Sequence, residues 1–375
     1  MGNLLLSLII LVVSIIDYPI YQIPDSGSMY LNSYLGWAQY NFINNYGFVA
    51  YTSTVFFPPR DHGYNSSPHG FIYNPYTNMS VDVYPSTDDR YNYYITAFND
   101  RGDYYLKELK KNDPDSRPPN YYYSLNNSGS YLTYYNYNYC SLHIPRSSNS
   151  VSIITFPEDT TMLYLNDNHS VAGYKGNIST NISSVKISNL QIEDSRNYSY
   201  TESVYDPTGI FKYSVPIDFN NYDEMVGWNV TRNGHAEAFL WDSDNNIYNL
   251  GLTAKFPDND IFHPADYIFS SGINTLLIND AGLIASMTDK GLFLFKDQQW
   301  IDLSPYLKQK LFPNDPWVDW IYWGQDIQLV DFSNAGMLLY NEHSSENYLF
   351  VLDTSIPEPC TIIIFGLGFI FIRKK

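Results

Sequence analysis

Residues 277–286 read LINDAGLIAS, two apolar runs separated by Asn279-Asp280-Ala281-Gly282. Two short strands joined by a tight turn fit that pattern. Asn opens such turns by bonding its own backbone, and Gly accepts the positive φ that a type I turn with a following bulge requires. Five other stretches follow the same plan: FINNYGFVAY at 42–51, AFNDRGDYYL at 97–106, YLNDNHSVAGY at 164–174, DFNNYDEMVGW at 218–228 and DFSNAGMLLY at 331–340. Their turns open at Asn44, Asn99, Asn166, Asn220, Asn279 and Ser333, at intervals of 55, 67, 54, 59 and 54 residues. A unit of roughly constant length therefore repeats along the chain.

The residue before each turn is large and apolar: Ile43, Phe98, Leu165, Phe219, Ile278 and Phe332. Five places after the turn opens stands Val49, Tyr104, Val171, Met225, Ile284 or Leu338, so a strand enters and a strand leaves. Three places after it opens stands Gly47, Gly102, His169, Asp223, Gly282 or Gly336. The two departures from Gly are residue types that tolerate the left-handed region. A second element, an aromatic-aliphatic strand running into Asn or Asp, follows several turns: HGFIYNP from His69, HAEAFLWD from His235, GLFLFKD from Gly291 and YLFVLD from Tyr348. His69 and His235 are aligned as equivalent structural residues at strand starts. Only Tyr104 to Lys111 and Ser304 to Leu311 show a helical period, so the fold class is all-β. A β-sandwich or β-solenoid with independent hairpins is the alternative to an array of equivalent sheets.

These residues resemble the HAF-repeat family of extracellular proteins, whose units pair an Ile-Asn-Asp-x-Gly hairpin with a His-Ala-Phe-Leu strand. His235 to Gly251 and Ile278 to Gly282 carry the resemblance best, and the tyrosine-rich region between Asp115 and Cys140 departs furthest from it. What it implies is a β-propeller-like array of about six small antiparallel sheets over residues 24–353. The closing sheet would draw on both ends of the chain, with Tyr18 to Ile23 beside Tyr348 to Asp353.

The two ends differ from this body. LLLSLIILVVSII, residues 4–16, has the length of a signal-peptide core, so residues 1–16 are expected to direct export, although no cation precedes the run. A buried N-terminal strand is the alternative. The chain closes on SIPEPCTIIIFGLGFIFIRKK: Pro357-Glu358-Pro359, thirteen apolar residues from Cys360 to Ile372, and the basic stop Arg373, Lys374 and Lys375. A helix of that length rises only about 20 Å, short for a bilayer. Short apolar helices are thus expected at both termini. Residues 356–375 resemble the PEP-CTERM sorting tail, in which Pro357, Glu358 and Pro359 would be the recognition residues. The resemblance implies transient anchoring in an inner membrane, processing by an exosortase, and release to the cell surface or extracellular matrix. A permanent C-terminal anchor is the rival reading.

The 375 residues carry 21 Lys and Arg against 39 Asp and Glu, a formal charge of −18, which repels nucleic acids and anionic lipids. The 37 tyrosines, with abundant Asn and Ser, give a surface suited to carbohydrate or protein contact, a composition that AT-rich coding also produces. Tyr121 to Tyr123 and Tyr134 to Tyr139 are candidates to stack on sugars or simply to form strand faces. The seven histidines have no zinc-ligand spacing, and DSDNNI from Asp242 lacks the glycine and the closing Glu of a calcium loop. No nucleophile elbow, phosphate loop or dinucleotide fingerprint is present. Carboxylate pairs such as Asp88-Asp89 and Asp258 with Asp260 have the chemistry of a glycosidase, but an acidic chain produces such pairs freely. Sequons such as Asn65-Ser66-Ser67 follow equally from composition. Cys140 in the body and Cys360 in the tail are poorly placed to pair. No cofactor, metal or catalytic residue is assigned. The expected function is a non-catalytic structural or binding role in contact with extracellular polysaccharide or other matrix proteins. The alternative is a secreted glycoside hydrolase or polysaccharide lyase.

Overall fold

The computed structural model describes residues 14–17, 20–23, 41–60, 63–85, 91–110, 124–135, 139–147, 150–157, 159–177, 181–188, 190, 201–203, 210–256, 274–311, 327–342, 348–354 and 358–361. These residues are mostly strand, arranged as a succession of small antiparallel sheets.

Sheet one contains Phe42–Ile43, Val49–Arg60, Gly63–Asn74 and Met79–Asp82, and sheet two pairs Tyr91–Phe98 with Tyr104–Lys110. Sheet three contains Ser124–Leu125, Tyr131–Tyr135, Tyr139–Ser147 and Ser150–Thr155. Sheet four contains Thr160–Leu165, Val171–Asn177, Asn181–Ile187 and Thr201–Ser203, and sheet five runs through Phe211–Phe219, Met225–Thr231, His235–Trp241 and Ile247–Lys255. A single parallel pair, Ile182 with Tyr213, links these two. Sheet six contains Thr275–Ile278, Ile284–Thr288, Gly291–Lys296 and Gln299–Asp302. Sheet seven takes Ile327–Phe332, Met337–Glu342 and Tyr348–Asp353 from the C-terminal part and Ile20–Gln22 from the N-terminal part, with Ile20 opposite Leu352. The expected pairing of the two chain ends is thus present.

Apolar side chains fill the gaps between neighbouring sheets from sheet three round to sheet one. Val215, Trp228 and Val230 of sheet five pack on Leu276, Ile278 and Ile284 of sheet six. Ala285, Met287 and Leu294 of sheet six meet Leu329 and Leu338 of sheet seven. Leu142 and Ile154 of sheet three meet Met162 and Val171 of sheet four, and Ala172 of sheet four meets Met225 and Trp241 of sheet five. Leu339 and Val351 of sheet seven pack against Val49 and Tyr51 of sheet one, so the last sheet touches the first. Full burial of side chains of this size contributes about 1.5–3 kcal/mol each. These wedges, rather than propensity, hold the strands in place.

Three expectations are corrected. The described residues contain seven turn-bearing sheets rather than about six; the additional turn opens at Asn126 and divides the longest interval. Tyr104–Lys110 is a strand, because the turn at Asn99 returns it along Tyr91–Phe98 with Phe98 opposite Tyr104. Where the apolar ends are described they are strands, not helices: Ser14–Asp17 pairs antiparallel with Glu358–Thr361, Ile16 facing Pro359. β-Branched Ile15 and Ile16 favour extended backbone, and Pro359 cannot donate to a helix interior. The remainder of residues 1–16 and 356–375 lies outside the described residues, as do Asp88, Asp89, Asp258 and Asp260. The helix Ser304–Leu311 is present as expected, with Pro305 in its first turn, where a missing N–H costs nothing.

Close packing leaves no room at Gly173. A Cβ built there would lie 1.9 Å from the carbonyl oxygen of Thr161 and 2.7 Å from the Cα of Met162. Both obstacles are backbone, so the strands must part. Gly173→Ala is expected to lower the unfolding free energy by about 1–3 kcal/mol in chemical denaturation, the usual cost of overpacking.

Candidate functional site

Seven turns, one per sheet, meet in a closed circuit. In each, the backbone N–H three places after the first residue donates to that residue's carbonyl: Gly47 to Asn44, Gly102 to Asn99, Gly129 to Asn126, His169 to Asn166, Asp223 to Asn220, Gly282 to Asn279 and Gly336 to Ser333. All seven donors have positive φ, including His169 at 59° and Asp223 at 62°. The sequence pattern therefore reports a backbone requirement, met by the residue types that tolerate it.

The first residue of the turn works in two directions. Its Oδ1 accepts backbone N–H groups within its own turn, as Asn279 does from Ala281 and Leu283, both at 3.0 Å. Its Nδ2 reaches across to the next sheet. Asn99 donates to the carbonyl of Asn126 at 3.0 Å, Asn126 to Asn166 at 3.0 Å, Asn166 to Asn220 at 3.1 Å, Asn220 to Asn279 at 3.1 Å and Asn279 to Ser333 at 3.2 Å. Asn44 reaches the Asp100 carbonyl at 3.5 Å. Asn is required here because it carries an acceptor and a donor on one short, rigid side chain. Ser333 has no amide with which to reach sheet one. There Asp331 acts instead, its Oδ2 accepting the N–H of Ile43 at 2.9 Å. Asp218 makes the equivalent bond from sheet five to Ile278 of sheet six at 2.8 Å.

The second turn residues form an inner ring that alternates in chemistry: Asn45, Asp100, Asn127, Asp167, Asn221, Asp280 and Asn334. Each backbone N–H donates to the next residue's Oδ1, Asn127 to Asp167 at 2.7 Å and Asp167 to Asn221 at 2.8 Å, for example. Amide hydrogens fill the spaces between carboxylates. Nδ2 of Asn127 bonds Asp100 at 3.1 Å and Asp167 at 2.7 Å, and Nδ2 of Asn221 bonds Asp167 at 3.1 Å and Asp280 at 2.8 Å. Asn45 and Asn334 do the same on the outer flanks of Asp100 and Asp280. Three carboxylates thus sit in one ring without being adjacent. An odd ring cannot alternate throughout, and the single like pair falls at the seam, where the N–H of Asn334 donates to Oδ1 of Asn45 at 2.6 Å.

Burial sets the electrostatics of this region. Burial raises the Asp100 carboxyl above its ordinary value, opposed by its hydrogen bonds to Asn45 and Asn127 and reinforced by Asp167 and Asp280. Asp218 is pushed up to about 7 and Asp331 to about 6, again by burial first, against the two backbone N–H bonds that each accepts. Lys186 of sheet four donates to the carbonyls of Asp223 and Asp242 and lies 4.7 Å from the Trp241 ring. Burial lowers it to about 8, opposed by Asp223 and other acids.

Around the ring stands a collar of third turn residues, of which Tyr46 is 60% and Tyr222 63% exposed. The turns joining the third and fourth strands lie at the same end of their sheets; that of sheet one adds Tyr76 at 73%, and Tyr248, 50% exposed, is the second residue of the strand leaving that of sheet five. The Phe48 ring meets Tyr76 edge-on at 6.1 Å. With Tyr104, the first residue of a strand leaving a turn, five of the six exposed tyrosines among the described residues lie in the turns at this end or within two residues of them. Chemically the face offers flat aromatic rings, hydroxyls, amides and carboxylates.

Several residues singled out in the sequence are not part of it. His69 is buried within its strand rather than at a strand start, and its Nδ1 lies 2.7 Å from Asp82. Strand register makes its counterpart in sheet five Glu237, not His235: Tyr73 faces Val49 as Trp241 faces Met225, and His69 and Glu237 each lie four residues before those positions. Glu237 in turn accepts from Asn249 at 2.6 Å, so both sheets use the position for a cross-strand polar pair. Asp242 to Asn246 form a hairpin turn, the Asp242 carboxylate accepting from Asn246 at 2.7 Å. Among the described residues no three His, Cys, Asp or Glu side chains converge to hold a metal ion. Cys140 is buried and free, its thiol pushed up to about 12 by burial. Glu358 and Pro359 are described only as strand backbone; Pro357, Arg373, Lys374 and Lys375 lie outside the described residues, as do Tyr121 to Tyr123. No helix among the described residues is long and apolar enough to cross a membrane.

No protein-family model matches the chain, and no curated protein matches it. Among solved structures it is similar to a chain of a mitotic checkpoint complex, at 10% identity and a TM-score of 0.47, covering 93% of this chain and 98% of that one. It is also similar to a gluconolactonase from Xanthomonas campestris, at 7% identity and a TM-score of 0.42, covering 90% and 91%. A third likeness is to a puromycin hydrolase, at 10% identity and a TM-score of 0.40, covering 90% of this chain and 48% of that one.

Proposed function

We propose that the seven sheets are the blades of a β-propeller and that its turn face is a non-catalytic contact surface for extracellular glycans or matrix proteins. The circuit of turns, the apolar wedge between neighbouring sheets and the completion of sheet seven by Ile20–Gln22 support the architecture. The clustering of exposed tyrosines on one face carries the function. An exposed aromatic ring costs solubility unless something covers it, and a tyrosine offers a sugar both an apolar face and a hydroxyl.

The tail from Pro357 to Lys375 supports a life outside the cell: export, transient retention in an inner membrane, and removal of the tail by an exosortase. Two measurements test the proposal. The secreted protein is expected to bind members of a polysaccharide panel without cleaving them, and reproducible turnover would replace the reading with a hydrolase or lyase. Mass spectrometry of the secreted product is expected to show loss of the segment beyond Pro359 or its neighbours; a mature product retaining Lys375 contradicts the sorting step.

A further inference from the structure

The glycan reading can be narrowed from the charge of the same face. Exposed Asp103, Asp244 and Asp297 stand around it, and Asp100, Asp167 and Asp280 lie half-buried at its centre. Against these six carboxylates stand Arg101, Lys296 and the buried Lys186, whose Nζ is held by the Asp223 and Asp242 carbonyls, and Arg101 is already 3.6 Å from Asp103. The ring cannot discharge its carboxylates internally, because its amides are neutral donors. An anionic polymer approaching this face meets a concentrated negative field, whereas a cationic one is drawn to it. The exposed tyrosines act in the same direction, since the face of an aromatic ring attracts an ammonium group as well as the C–H face of a sugar.

We propose that the turn face binds a polysaccharide carrying free amino groups, with Tyr46, Tyr76, Tyr222 and Tyr248 stacking on the sugar rings and the surrounding carboxylates pairing with the ammonium groups. This rests on the glycan-contact reading and specifies its ligand class.

The test compares the full chain's affinity for two oligosaccharides with one backbone, a glucosamine oligomer and its N-acetylated counterpart, at mildly acidic pH. The glucosamine oligomer is expected to bind at least about tenfold more tightly, and the advantage to shrink as salt shortens the range of charge attraction. Combining Tyr46→Ala with Tyr222→Ala is expected to weaken binding of the glucosamine oligomer about tenfold or more, and Asp244→Asn with Asp297→Asn several-fold. All four positions are exposed, so folding is preserved and is checked by an unchanged melting transition. Equal binding of both oligomers overturns the amino-sugar inference while leaving glycan contact in place; binding of neither overturns both. Tighter binding of polygalacturonate than of the glucosamine oligomer overturns the inference. Polylysine binding that matches the glucosamine oligomer and ignores the tyrosine variants overturns it as well.

Discussion

Replacing Asn279 with alanine is expected to lower the unfolding free energy by about 3–5 kcal/mol. The side chain is buried and makes three bonds: it accepts the N–H groups of Ala281 and Leu283 and donates to the carbonyl of Ser333 in the next sheet. Each lost partner leaves a polar group in a poorly hydrated site, at about 1–3 kcal/mol apiece. Serine should cost less than alanine, since Ser333 fills the equivalent position of sheet seven. Equilibrium denaturation of the wild type, Asn279→Ala and Asn279→Ser checks both the size and the order. A loss below about 1 kcal/mol for alanine would mean that the turn does not tie sheet six to sheet seven.

Stability is expected to fall as the pH rises from about 4 to about 7. Asp218 and Asp331 are raised in the folded chain to about 7 and about 6 from the ordinary 3.8. Between those limits the folded chain holds more protons than the unfolded one, so raising the pH favours unfolding. The pair should account for a loss on the order of 3–6 kcal/mol across the window. Tyr164, Asp280 and Asp100 face these carboxyls, and the acids among them reinforce the trend. His143 and His169, lowered by burial below 6.5, act in the opposite direction, but each is partly exposed and the effect is screened. Melting temperatures measured at intervals across this range check the sign. Asp331→Asn is expected to flatten the dependence while lowering stability throughout, because the amide can accept only one of the two N–H bonds from Ile43 and Phe332. An unchanged pH profile in that variant would show that Asp331 does not titrate in this range.

Much of the architecture was legible in the turns. Their apolar flanks and the positive φ at His169 and Asp223 follow from residue types at fixed spacing, and the meeting of the two chain ends in one sheet was an implication of the repeat resemblance. The six-turn pattern omits the turn at Asn126, although SLNNSGSYL at 124–132 fits it with Leu125 before the turn, Gly129 inside it and Tyr131 after it. Six turns already gave a nearly constant interval, and the tyrosine-rich surroundings masked the seventh. That omission also hid the ring. Without Asn127, Asp100 would stand beside Asp167 and the alternation of amide and carboxylate would be broken. The alignment of His69 with His235 failed because the strands after the turn differ in length, and only register shows that Glu237 is the counterpart. The face bearing the tyrosines could not be read from sequence at all. Tyr46 and Tyr222 are 176 positions apart, and nothing in the local pattern says that their turns point the same way.

The closed circuit of seven turns is tested most directly at its seam, where Asn45 and Asn334 are 289 residues apart in sequence and in hydrogen-bond contact. Cysteines placed at both positions should be joined by a short thiol-to-thiol cross-linking reagent in the folded chain, since the backbone nitrogen of residue 334 lies within reach of the side chain at 45. Peptide mapping is expected to recover the 45–334 bridge in most of the folded molecules. Thiols at 45 and 334 that both stay unbridged in a folded, reagent-treated chain would contradict the closed ring and the contact surface built upon it.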